Sequence, residues 1–355
     1  MAALIRSGDR VRAAARGVAA GLALWALGGC GGPGAPAGSG SGDRGGGLAR
    51  AAGPAAPPSA PAGLVRFMVG DEADAAVRPA GPALVVAGGG ADVDAAMRAL
   101  TEVAAGGDVV VLRATGGGGY GPYLYRDLGG VDSVETLVVD APRWAEDPYV
   151  IDQINAAEAI FIAGGDQWDY LSIWGGGPVQ AALQAAWARG AAIGGTSAGA
   201  AILGQRAFSA ARGTVTSAEA LRMPFRPRLR FVDRFLCLPP LTGVLTDTHF
   251  SERDRLGRLV AFLARSWAAP AAGPLEGWGV DEGTAAVWRA DAWTVRGAGA
   301  VWRVRPTAAP DALRRGAPLI WRGVPARRVA AGEAWEGPDT HLLDAEDGAL
   351  RVRAR

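Results

Sequence analysis

A strict alternation of short apolar runs with helix-patterned segments, between residues 82 and 193, constrains the fold more than any other feature. Residues 82–87, 108–112, 136–139, 159–162 and 191–193 are apolar runs of strand length. Between them, residues 92–103, 148–157 and 178–189 space their apolar side chains helically, and Pro178 stands at a helix start, where its missing N–H costs nothing. Strands that are apolar on both faces must be covered on both. Strand–helix–strand units close by right-handed crossovers, so the pattern predicts an α/β fold: a mostly parallel sheet with helices on both faces. Functional residues in such sheets sit on loops at the carboxyl ends of the strands. One more amphipathic helix is expected over residues 251–265. After Gly277 the pattern changes to a C-terminal β-rich segment, with short strands at 285–288, 293–295 and 300–304. These either complete the sheet edge or form a small appendage. Beyond residue 306 the periodic signal is weak.

The ends of the chain read differently. Arg6, Arg10, Arg12 and Arg16 precede a short apolar stretch, residues 18–27, which is below the ~18–20 residues needed to span a bilayer. It ends in Leu27-Gly28-Gly29-Cys30, a pattern that resembles a bacterial lipobox. That resemblance implies a signal peptide over residues 1–30, lipidation of Cys30, and an exported protein anchored at the cell envelope, at the outer membrane and periplasm or the cell surface. Residues 31–62 are dominated by Gly, Ala, Pro and Ser, a composition that cannot offset its ordering entropy, so a tether is expected there. A catalytic domain over 63–305 and a C-terminal extension over 306–355 complete the expected organisation. The 355 residues include 36 basic and 35 acidic side chains, a balance that gives no reason to expect a nucleic-acid partner. Of the two cysteines, Cys237 lies in an apolar run and is expected as a buried thiol.

Gly195-Thr196-Ser197-Ala198-Gly199 carries the strongest chemical signal. It fits Gly-x-Ser-x-Gly between a strand and a small-residue helix, where the glycines permit a sharp turn that exposes the serine hydroxyl. The amide of Ala198 then points where an oxyanion would form. A serine hydroxyl needs a base, and the chain has only two histidines, His249 and His341. A carboxylate must fix the imidazole, and Asp281 and Glu282 stand at an expected strand end. There is no His/Cys cluster with metal-ligand spacing, so neither a metal nor another cofactor is expected. The run Gly116–Gly119, followed by Tyr120 and Tyr123, reads either as a loop closing over substrate or as a plain flexible loop.

Four separated motifs resemble the cyanophycinase and peptidase E family of serine peptidases. They are Gly164-Gly165-Asp166-Gln167, Gly194 to Ala200, Asp247-x-His249-Phe250 with Arg253, Arg255, Gly257, Arg258 and Leu259, and Gly279-x-Asp281-Glu282-x-Thr284-Ala285. The resemblance spans roughly residues 82 to 304. It implies a class I glutamine amidotransferase-like sheet, with Ser197 as nucleophile, His249 as base and Glu282 orienting it. It implies an oxyanion hole from Ala198 and the Gly164-Gly165 pair. Gln167, Asp247, Arg253, Arg255 and Arg258 would bind an acidic or arginine-containing peptide. A homodimer is a candidate assembly on the same ground. Cyanophycinases hydrolyse an aspartate–arginine polymer and peptidase E cleaves aspartyl dipeptides. Thr248 replaces the family's glutamine, and Arg253-Asp254-Arg255 replaces its Arg-Gly-Arg; both departures fall in the substrate segment. Two alternatives stay open. An α/β-hydrolase-type esterase would use His341 as base, and a catalytically idle lipoprotein would only bind peptides.

Overall fold

The computed structural model describes residues 59–269 and 273–355. The expected export signal, the lipobox Cys30 and residues 31–58 of the expected tether lie outside the described residues. The first six strands are β1 (Val65–Gly70), β2 (Ala83–Ala87), β3 (Asp108–Arg113), β4 (Ser133–Val138), β5 (Ala159–Ile162) and β6 (Ala192–Thr196). Next come β7 (Arg206–Phe208), β8 (Phe231–Asp233), β9 (Val244–Asp247), β10 (Glu276–Val280), β11 (Thr284–Arg289) and β12 (Ala292–Gly297). The last four are β13 (Ala300–Val304), β14 (Trp321–Ala330), β15 (His341–Glu346) and β16 (Ala349–Ala354).

They form two sheets, each of eight strands. The first has the order β1-β4-β3-β5-β6-β2-β11-β12. Its five central strands, β4, β3, β5, β6 and β2, are parallel. Antiparallel β1, β11 and β12 extend its two edges. This is the expected α/β architecture. On one face lies the helix Asp94–Ala104, whose Met97, Leu100 and Val103 pack against Val85, Val109 and Phe161. On the other face the helices Pro148–Ala156 and Pro178–Arg189 share a core with Leu84, Val86 and Ile160. All five residues of β2 are buried, and each fully buried Val or Leu is worth roughly 1.5–3 kcal/mol of hydrophobic stabilisation.

The second sheet runs β16-β15-β14-β13-β10-β9-β7-β8. The contacts β7–β9 and β9–β10 are parallel, and the rest are antiparallel. Val244, Trp278, Val280 and Val301 join it to the core of the first sheet, and the helix Leu256–Trp267 covers its other face with Leu259, Phe262 and Leu263.

Several local expectations are corrected. The helix expected from residue 251 starts at Leu256, because His249 and Asp254 hold φ of 47° and 48°, outside the helical region. The strand expected at 136–139 begins at Ser133. Its early polar residues have partners: the Ser133 hydroxyl donates to the Asp108 carboxylate at 2.5 Å, and Glu135 Oε1 accepts from the Tyr149 hydroxyl at 2.7 Å. The alternatives for the C-terminal strands divide: β11 and β12 complete the first sheet, while β13 pairs into the second. Residues beyond 306 supply β14 to β16, which lengthen the second sheet rather than standing apart.

Candidate active site

Ser197 sits between β6 and the short helix Ala198–Ala201, with φ 53° and ψ −118°. A non-glycine residue held there costs of order 1–3 kcal/mol and persists only where its surroundings enforce it. The flanking glycines are sterically required. A Cβ on Gly195 would stand 2.6 Å from the Gly199 carbonyl carbon, and one on Gly199 would stand 2.1 Å from Ile162 O. Ala198 opens its helix, so its N–H has no partner within that helix. Gly164 lies beside the nucleophile: a Cβ there would be 3.4 Å from Ser197 Cβ. Gly165 is closed in by the Tyr170 hydroxyl, itself donating to Ala163 O at 2.9 Å.

His249 follows β9 and Glu282 follows β10, two adjacent parallel strands of the second sheet. Their carboxyl ends deliver both side chains to the serine raised by the first sheet. Ser197 Oγ is 2.7 Å from His249 Nε2, and His249 Nδ1 is 2.5 Å from Glu282 Oε1. The carboxylate accepts from Nδ1–H, which leaves the Nε2 lone pair for the serine proton. Burial pushes the His249 pKa below its ordinary value, and the positive charges of Arg253 and Arg255 act in the same direction; the hydrogen bond and charge of Glu282 oppose them. The imidazole is therefore neutral, and able to accept a proton, near neutral pH. Asp281 has a different task. It accepts from Ser251 N and Oγ and from Ala300 N, at 3.1, 2.6 and 3.0 Å, and so pins the turn after His249 to the second sheet. His341 lies on β15, 2.8 Å from Thr340 Oγ1 and against the Trp302 ring, and it does not line the cavity at Ser197.

That cavity has a volume of about 210 Å³. Gln167, Asp247, Arg253, Arg255 and Arg258 all line it, but they are not equivalent. Arg258 is buried and grips the Asp247 carboxylate with Nε at 2.7 Å and Nη2 at 2.5 Å, while Nη1 donates to Thr214 Oγ1 at 2.9 Å. Asp247 also accepts from Thr248 N at 2.9 Å. Arg255 donates to Thr248 O at 2.6 Å, and burial, the largest influence on it, brings its pKa down to about 10. Gln167 reaches Phe208 O at 3.4 Å, and the Asp166 carboxylate caps its helix by accepting from Trp168 N at 2.9 Å. The Arg253 guanidinium is exposed and has no hydrogen bond or ion pair among the described residues. Residues 116–123 do not line this cavity. Arg113 donates to Thr115 O and Gly117 O, both at 2.5 Å, and Tyr120 packs edge-on against Phe161.

Sequence reasoning missed Gly88-Gly89-Gly90, which follows β2. Gly88 O accepts from His249 N at 2.7 Å, and Gly89 O accepts from Gly283 N at 2.8 Å. A Cβ on Gly89 would be 2.4 Å from His249 Cε1, and one on Gly90 would be 2.9 Å from Glu282 Cβ. This loop is the floor on which base and acid rest. The available signal was a glycine run at the carboxyl end of a buried strand, the place where α/β sheets build sites.

Comparisons with known proteins bear on this geometry. Residues 125–237 match peptidase family S51, a span that includes Ser197 and Gly164 to Gln167. A cyanophycinase of Synechococcus elongatus is 35% identical over 185 residues, covering 52% of this chain and 52% of that protein. A cyanophycinase of Trichormus variabilis is 32% identical over 186 residues, covering 52% of this chain and 57% of its own length. The chain thus spans about half the length of the curated relatives it matches. The crystal structure of a peptidase from an acI-B1 Actinobacterium aligns with a TM-score of 0.49 at 18% identity, over 72% of this chain and 97% of that one.

Proposed function

We propose that this chain, which is similar to peptidase family S51 over residues 125–237 and to cyanophycinases over about half their length, belongs to the cyanophycinase and peptidase E family and is a serine-type peptidase hydrolysing aspartyl-type peptide bonds through Ser197, His249 and Glu282. The observation that carries the reading is the unbroken relay from Ser197 Oγ through the His249 ring to Glu282, at 2.7 and 2.5 Å, built on a serine whose backbone is held out of its relaxed region.

Chemistry follows from the geometry. His249 Nε2 takes the hydroxyl proton as Oγ attacks the scissile carbonyl, and the imidazolium that forms is stabilised by Glu282. The amide of Ala198 and a glycine amide of Gly164-Gly165 would receive the oxyanion; such a donor contributes ~3–4 kcal/mol in the transition state. His249 returns the proton to the leaving amine. Water, deprotonated by the same nitrogen, then releases the acyl group. On the substrate side, Arg253 offers a guanidinium with unused donors to a carboxylate. Arg255 and Arg258 are committed to Thr248 and Asp247 and shape the wall from behind. The proposal includes export and anchoring at the cell envelope through Cys30, supported by the basic and apolar segments that precede it.

The test compares the protein with its Ser197→Ala variant on a panel of α- and β-aspartyl peptides and the aspartate–arginine polymer, with products read by mass spectrometry. Turnover should fall at least ~10³-fold in the variant. Equal turnover in both proteins would overturn the reading.

A further inference from the structure

Outside the cavity the chain concentrates positive charge that the proposed chemistry does not use. Between Ser209 and Phe231 five arginines (Arg212, Arg222, Arg226, Arg228 and Arg230) stand against a single acid, Glu219. Glu219 pairs with Arg226 at 2.9 Å and lies 4.0 Å from Arg228. The side chains of Arg212, Arg222 and Arg230 are exposed and make no hydrogen bond or ion pair among the described residues.

The fold brings this segment to the mouth of the cavity. Ser209 N and Oγ donate to Arg230 O at 2.9 and 3.2 Å, which continues the β7–β8 ladder to within one residue of Ala210, part of the cavity wall. Arg212 lies between Ala210 and Gly213, and both of these line the wall. Farther out, Arg265 and Arg315 flank the Phe225 ring, with guanidinium carbons 4.6 and 5.1 Å from its centroid. Arg265 also donates to Pro224 O at 2.8 Å, and Leu319 N donates to Leu221 O at 2.8 Å, so two further elements pack against this segment. The segment thus carries forked cations along the chain from Arg212, between two residues of the cavity wall, to the turn at Phe225 and on to Arg230. Guanidinium forks match carboxylates in charge and shape.

We propose that this arginine track is an extended subsite for an acidic polypeptide, holding free carboxylates along the chain to one side of the bond cleaved at Ser197. It rests on the hydrolase reading above and narrows it. The favoured substrate is a chain of uncapped acidic residues. A polymer in which every aspartate side chain is amide-linked to an arginine carries one guanidinium for each remaining carboxylate, so its net charge is near zero and a positive surface favours it less than a chain of free acids. Contiguity with the cavity mouth favours a peptide over an anionic membrane as the partner.

Oligo-aspartates of two, four and eight residues are the probes, given to the full chain and to the variant Arg212→Gln/Arg228→Gln/Arg230→Gln. The ratio of kcat/KM for the octamer to that for the dimer should exceed one in the parent and fall steeply with added salt. In the variant it should drop by roughly tenfold, as three exposed ion pairs imply. A ratio that is equal in both proteins would overturn the proposal. Binding of a fluorescent octa-aspartate to Ser197→Ala, with and without the three substitutions, separates the two readings. Lost binding in the substituted protein supports the subsite even if nothing is cleaved. Cleavage of the dimer with unchanged octamer binding overturns the subsite and leaves the hydrolase standing. Weakened attachment to phosphatidylglycerol vesicles, with octamer kinetics unaltered, would overturn it in favour of a membrane-facing surface.

Discussion

Replacing Gly89 by alanine should disable the base without touching any member of the relay. The new Cβ would stand 2.4 Å from His249 Cε1 and 2.6 Å from Nε2. Ordinary carbon contacts begin near 3.5 Å, so the ring must retreat by about 1 Å. Its Nε2 is now 2.7 Å from Ser197 Oγ; the retreat would take it past hydrogen-bond range, beyond about 3.2 Å. Loss of a positioned general base lowers rates by about 10²–10⁴-fold. The backbone is strained as well, since Gly89 has φ 95°, and a side chain in that region costs roughly 1–2 kcal/mol. Gly106 separates the two effects. It has φ 86° and nothing within 4 Å of a built Cβ, so Gly106→Ala carries backbone strain alone. The assay is the rate of Ser197 labelling by a fluorophosphonate, which needs an activated serine but no identified substrate, with urea unfolding run in parallel. Gly89→Ala should lose at least as much stability as Gly106→Ala, since it adds a clash to the same strain, and only Gly89→Ala should lose labelling. A Gly89→Ala protein that labels within twofold of the parent would refute the argument that this loop sets the histidine.

Two further outcomes follow from the electrostatics. Burial and the neighbouring arginines lower the His249 pKa, so the acid limb of kcat/KM should have its midpoint below the ordinary imidazole value of about 6.5. The unfolded chain holds that proton more tightly, so this histidine's contribution makes stability fall as pH drops below about 6.5, levelling off under the depressed folded value; an acid limb centred above 6.5 would contradict this. Arg258→Met should cost about 3 kcal/mol in urea unfolding, because it strips the buried Asp247 carboxylate of a two-point partner, while Asp247→Asn in the same protein should recover part of that loss. Additive losses would show that the pair is not coupled.

The sequence made the parallel half of the fold legible because its strands are buried on both faces and so are nearly pure apolar runs, as in β2 and β5. The second sheet carries no such mark. β7 and β8 are three residues each and include Arg206 and Asp233, which pair with one another at 2.6 Å. In β13, the buried Arg303 is matched by Glu276 of β10 at 2.5 Å. Ion pairs between strands hide strands from a hydrophobic pattern, since each charged residue looks like a surface residue until its partner is known. Glu135 inside β4, paired with Arg66 of β1 at 2.5 Å, is the same case in the first sheet.

The relay was legible for the opposite reason: its chemistry is rare in this chain. With two histidines in all, a Gly-x-Ser-x-Gly turn leaves little choice of base. The arginines offered no such economy. Arg253, Arg255 and Arg258 look alike in sequence, yet one has its donors unused, one is held by a backbone carbonyl and one is clamped to Asp247. What separates them is where their neighbours lie in space, and residues 206 to 234 carry the lesson further. That stretch holds seven arginines (206, 212, 222, 226, 228, 230 and 234) and two acids, Glu219 and Asp233, inside a chain whose 36 basic and 35 acidic residues almost cancel. Net charge governs the far field of a protein, but at physiological salt fields decay over about 8 Å. A ligand at the mouth of the cavity therefore responds to the local excess at Arg212 and Arg230, and the near-neutral total does not attenuate it.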